Sequence, residues 1–204
     1  MSTRTILSTV GRVVLGGAVM ISSACGGDLM RTGRSAVFLV VDKIEATPEG
    51  GSPTAFLISD VRLDDGSVFN DNVIVTMRSV EKNPTATTTA ISSVTLTRYH
   101  VDYRRTDGRN VPGVDVPYSF DGGLSLTLSP GAVGSATFEI VRHQAKLEPP
   151  LKNLDGFSTA GRSLSGLGFI STIAEITIYG RDQNGNEVSV AARLDVHFGD
   201  FADQ

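Results

Sequence analysis

Two alternating runs near the C-terminus, separated by a polar turn, constrain this chain more than any other stretch. From Ile173, the residues Ala174, Ile176, Ile178 and Gly180 fall on one side, and Glu175, Thr177, Tyr179 and Arg181 on the other. After Asp182-Gln183-Asn184-Gly185-Asn186 the pattern resumes. Val188, Val190, Ala192, Leu194, Val196 and Phe198 now oppose Glu187, Ser189, Arg193, Asp195 and His197. A period of two is how a strand buries one face and wets the other. Asn-Gly supplies the positive φ angles of a tight hairpin turn, so an antiparallel hairpin is expected over 173–198. A lone hairpin is at best marginally stable, so the rest of the chain must provide partner strands and a facing sheet.

The amino terminus has a different character. Arg4 and Arg12 stand without an acidic residue, Val13 to Ile21 is apolar, and Ser22-Ser23-Ala24 leads to Cys25. About nine apolar residues match a secretory signal rather than a membrane span of about 20. Ser23-Ala24-Cys25 resembles the lipobox of bacterial lipoproteins, although Ser22 stands where that family has an aliphatic residue. The resemblance implies cleavage before Cys25 and a diacylglycerol on its sulfur. With Gly26 rather than Asp next, it implies sorting to the outer membrane. Cys25 is the single cysteine of the chain, so no intrachain disulfide can form. The expected divisions are a signal peptide over 1–24, a lipid-anchored tether over 25–34 (ending in GGDLMRTGR), a domain over 35–200 and a tail over 201–204.

Without its first 24 residues the chain keeps 180 of 204, enough for one domain. Arg4 and Arg12 go with them, leaving 16 of the 18 basic residues against all 22 acidic ones, a net of -6. An acidic surface repels phosphate backbones, so nucleic acid is not an expected partner. Membrane attachment would come from lipid rather than a basic patch. Abundant Gly, Val, Ile, Thr and Ser, without helix-favouring runs, point to an all-β fold.

Further strands are expected at Ala36 to Ala46, Ala55 to Leu63, around Val73 to Met77, at Val94 to Tyr103, around Leu124 to Leu128 and around Ala136 to His143. Pro48 to Pro53, Asp64-Asp65-Gly66, Lys82 to Ser93, Arg104 to Pro117 and Pro130-Gly131 separate them. In the strand from Val94, strict alternation groups Thr95, Thr97, Tyr99, Val101 and Tyr103 against Val94, Leu96, Arg98, His100 and Asp102. Lys146 to Gly168 has weak periodicity and many breakers, and is expected to be a long irregular connection. About eight strands at this spacing predict a single antiparallel β-sandwich, with a jelly roll or small barrel as the alternative. It resembles the immunoglobulin and fibronectin type III architecture, without the cysteine pair or tryptophan of antibody domains. Such a resemblance implies architecture and no particular ligand.

Chemistry is harder to find. No HExxH, Cys/His cluster or Gly-x-Ser-x-Gly elbow is present. His100, His143 and His197 read as polar strand-face residues, and nothing in the sequence brings a third group to His100 and Asp102. The oxygen-rich stretch Asp182 to Glu187 lacks the length and flanking helices of an EF-hand. Asp60, Asp64, Asp65, Asn70, Asp71 and Asn72 read as turn residues, with a surface calcium site as the alternative. No catalytic, cofactor or metal site is therefore expected. One cluster stands out against the acidic background: Arg104, Arg105 and Arg109 in a Gly- and Pro-rich turn, where forked guanidiniums would suit anionic groups. That turn is the candidate ligand-binding loop, with Asp102, Asp107 and Asp115 as competing partners for its charge. The expectation is a non-enzymatic, lipid-anchored envelope module whose partner is a polysaccharide or a protein. A surface hydrolase or carbohydrate-binding accessory domain is the alternative. Four tyrosines and no tryptophan weigh against the carbohydrate reading.

Overall fold

The computed structural model describes residues 33–47, 51–63, 65–85, 87–155 and 168–201. Cys25 and the rest of 1–32, with Asp64 and 156–167, lie outside that set. Eight strands form: β1 (Val37–Thr47), β2 (Leu57–Asp60), β3 (Asp71–Glu81), β4 (Val94–Arg104), β5 (Phe120–Leu128), β6 (Val133–Val141), β7 (Phe169–Asp182) and β8 (Glu187–Gly199). They make a three-stranded sheet, β1-β3-β6, and a five-stranded sheet, β2-β8-β7-β4-β5. The larger sheet curls about the smaller, so β1 lies beside β8 and β5 beside β6. The all-β expectation and the strand number hold.

The hairpin forms as the alternation requires, with Gly180 opposite Val188 and Phe169 opposite Gly199. Ala174, Ile176, Ile178, Val188, Leu194, Val196 and Phe198 are buried. Val190 is only half-buried at the turn end of β8. The turn itself differs from the expected kind. Gly185 alone carries positive φ, at 82°, while Asn184 does not. Gly185 N donates to Asp182 O (2.9 Å) and Asp182 N to Asn186 O (3.0 Å). This is a longer loop closed by a left-handed glycine rather than a two-residue turn with both φ angles positive.

Three further expectations need correction. A β-bulge in β4 between Leu96 and Arg98 inserts Thr97, so Val94 and Leu96 share the buried face with Tyr99, Val101 and Tyr103. One extra residue reverses the alternation beyond it. Secondly, the sheets are not wholly antiparallel: β2 runs parallel to β8, pairing Leu57 with Val196. Thirdly, β6 ends at Val141, and the connection after it is partly regular. It holds a helical turn α1 (His143–Lys146) and a 3-10 turn (Leu151–Leu154), whose Leu151 and Leu154 are buried against the core.

Between the sheets, Tyr99 packs on Phe138 with ring centroids 4.2 Å apart, and Tyr103 meets Phe198 edge-on at 5.7 Å. The buried Tyr103 hydroxyl donates across to Ile140 O. The strand registers give the domain two distinct ends. The near end carries the starts of β1, β4 and β6 and the β7–β8 turn, and from Gly33 there the chain runs back to residues 1–32. At the far end lie the end of β4, the starts of β3, β5 and β7, and α1.

Candidate functional site

The candidate arginine loop lies at the far end, and its charges are already engaged. Arg104 pairs with Asp102 (3.0 Å) and Glu175 (2.9 Å), and Glu175 also holds Arg193 (2.8 Å). Arg105 and Arg109 share Asp107 at 2.6 and 2.9 Å. Hydrogen bonds from the Arg105 guanidinium, and then from Arg109, hold the Asp107 carboxyl well below its ordinary range. Asp115 accepts Val111 N–H rather than an arginine (3.1 Å). The structure therefore brings Arg105 and Arg109 together around one carboxylate, with Arg104 on the neighbouring sheet face. The Arg105 side chain is largely covered whereas Arg104 and Arg109 are exposed, and exposed pairs such as theirs shape a loop more than they stabilise it.

The oxygen-rich stretches serve backbone and side-chain donors. Asp182 accepts from Asn184 N (3.0 Å), Asn186 N (2.9 Å) and Asn186 Nδ2 (2.9 Å). Burial opposes ionisation of Asp182, but the hydrogen bonds from Asn186, Ser35 and Asn184 outweigh it and its pKa is lowered. Asp65 binds the hydroxyl and N–H of Ser67. Asp60 accepts from Arg62 N (3.2 Å). Among the described residues no three His, Cys, Asp or Glu side chains are grouped to hold a metal ion.

The histidines lie apart. His100 faces Asp121 of β5 at 3.3 Å, not Asp102. His197 Nδ1 is 2.8 Å from Ser171 Oγ, its cross-strand partner on the outer face, and Phe56 meets the ring edge-on. Among the described residues no carboxylate hydrogen-bonds to the His197 ring, so the pair lacks the orienting acid of a nucleophilic triad. His143 belongs to α1 rather than to a strand, and its N–H donates to Asn70 Oδ1 (2.6 Å). Asn70 Nδ2 donates to Glu139 Oε1 (2.7 Å), so Asn70 Oδ1, 3.0 Å from His143 Nδ1, is the acceptor and His143 carries its proton there.

What the sequence did not signal is a polar assembly around α1. Lys146 Nζ lies 2.9 Å from Asp71 Oδ2, with both side chains almost wholly buried, and Ser59 Oγ donates to the same oxygen (2.7 Å). Desolvation pushes the Asp71 carboxyl up, and Lys146 and Ser59 only partly restore it. This pair pins α1 onto the start of β3. Arg142, just before α1, lays its guanidinium over Phe120 at 4.0 Å and donates to Asp121 O. Two clefts flank Arg142. One of about 500 Å³ is bordered by Asn70, Glu139 and His143. The other, of about 220 Å³, is lined by Pro117, Tyr118, Phe120, Gln144, Glu148 and Pro149.

A wider groove of about 660 Å³ opens at the near end. Its charged groups are occupied: Lys82 donates to Gly33 O (2.5 Å), Arg181 pairs with Glu187 (2.9 Å), and Arg98 covers the Tyr179 ring at 4.3 Å. It also adjoins the point where the chain leaves for residues 1–32. The exposed Gln144 and Glu148 side chains, by contrast, have no hydrogen-bond partner among the described residues and are open to a ligand as they are to water. The far end is thus where free polar groups border a concavity, and it is the better candidate site.

No helix among the described residues is long and apolar enough to cross a membrane. No protein-family model and no curated protein matches the chain. Among solved structures it is similar to the X-ray structure of Northeast Structural Genomics Consortium target SoR45, at 12% identity and a TM-score of 0.34, over 78% of this chain and 86% of that one.

Proposed function

We propose that this chain is a non-enzymatic, lipid-anchored extracytoplasmic module of a bacterial envelope, with an immunoglobulin-like sandwich that presents its far end to a ligand. The supporting observation is the opposition of the two ends. The route back to Cys25 leaves from the near end, and the cleft with unengaged polar side chains opens at the other. An anchor on Cys25 would leave that cleft pointing away from the membrane, and Gly26 after the cysteine favours the outer membrane. Two packed sheets with apolar inner faces support the immunoglobulin-like reading, while the parallel β2–β8 pair departs from it. Arg104, Arg105 and Arg109 stand at the same end, where their carboxylate partners hold the loop in shape, and none of the three lines the cleft.

The anchor is tested by Cys25→Ser. The variant should leave the membrane fraction for the soluble exported fraction, and labelled palmitate should no longer be incorporated. Unchanged membrane association would refute the lipid reading.

A further inference from the structure

We propose that the cleft between Tyr118 and α1 holds one neutral pyranose ring of a polysaccharide. This deepens the reading of the far end as the ligand-facing one, and rests on it. The cleft's volume of about 220 Å³ lies below the roughly 300–1,000 Å³ of sites for drug-sized ligands, which suits one ring-sized group.

Its wall is built rather than incidental. Tyr118 is 58% exposed, yet its phenol end lies against Gly113. A Cβ at Gly113 would sit 2.3 Å from the Tyr118 oxygen, and the glycine's φ of +75° disfavours any side chain there. Glycine at 113 is therefore what lets the aromatic ring settle at the rim, with much of its surface left to solvent. A tyrosine ring offers the apolar C–H face of a sugar a stacking surface, and its hydroxyl offers a hydrogen bond.

The polar groups match the hydroxyls of such a ring. Gln144 and Glu148, four residues apart on and just beyond α1, line the cleft without partners among the described residues. Glu148 can only accept, Gln144 both donates and accepts, and a sugar hydroxyl does both. The charges decide against an anionic ligand. Arg142 is opposed by Glu139 at 3.7 Å and shares the cleft with Glu148, so no uncompensated positive charge remains.

The test is affinity electrophoresis of the full chain in detergent, through native gels containing a β-glucan, a xylan, a mannan or starch. Wild type should be retarded in at least one gel. Tyr118→Ala and the double variant Gln144→Ala/Glu148→Ala should each lose at least tenfold in affinity there, with urea midpoints like that of wild type. No retardation in any of the four gels would overturn the proposal, as would retardation that both variants keep. Binding of a proline-rich peptide with no response to polysaccharide would assign the cleft to peptide instead and overturn it too. Retardation combined with a Cys25→Ser variant that stays in the membrane would refute the lipid anchor alone.

Discussion

Lys146 reaches Asp71 from a segment that looks irregular in sequence, and neither residue is marked there as unusual. Asp71 reads as one more turn carboxylate and Lys146 as the start of a polar connection. Only tertiary packing reveals them as a buried pair completed by Ser59. Removing one partner strands a charge, while replacing both is commonly tolerated. Lys146→Met should lower the unfolding free energy by about 3 kcal/mol or more in urea titrations. Adding Asp71→Leu should recover most of that loss. Asp182 gives a pH-dependent counterpart. Its folded pKa is lowered, so its contribution is fully present above the unfolded value of about 3.8 and is lost as pH falls through the folded value. Asp182→Ala should cost about 1 kcal/mol at neutral pH. The gap between the mutant and wild-type midpoints should close as the pH drops below the carboxylate range, and a gap that persists there would show that the hydrogen bonds do not depend on the charge.

At the level of elements, periodicity is legible where strands are unbroken and misleading where they are not. β7 and β8 alternate without interruption, and their buried faces follow the sequence pattern. β4 does not, because Thr97 is an extra residue opposite β7, and a bulge leaves no mark in a count of alternating residues. The same holds at Asp42, skipped in the pairing of β1 with β3, after which the buried side passes from Val37 and Leu39 to Ala46. Gly180 is the local clue, since a Cβ there would lie 2.4 Å from Thr95 O beside the bulge. Register in β8 is best probed away from half-buried Val190. Leu194→Lys should destabilise by roughly 3–5 kcal/mol through an unpaired buried charge. Ala191→Lys, on the exposed face, should stay within about 0.5 kcal/mol. Equal urea midpoints for these two variants would contradict the assigned register.

For the molecule as a whole, composition and turn spacing suffice for an all-β domain of eight strands, because both reflect local backbone preference. Sheet order, and the parallel addition of β2 to β8, depend on which strands meet after long connections, and no local signal carries that. The cleft was equally hidden: its lining comes from Pro117 to Phe120 and from Arg142 to Pro149, segments joined only by the fold. The opposed ends also set a length. Strands β1, β3 and β4 have 11 residues each, and at about 3.3 Å per residue they span roughly 35 Å. On the proposed anchor at Cys25, a domain standing end-on would act as a strut that carries its cleft roughly that far from the end where the tether begins, within reach of chains that never touch the bilayer.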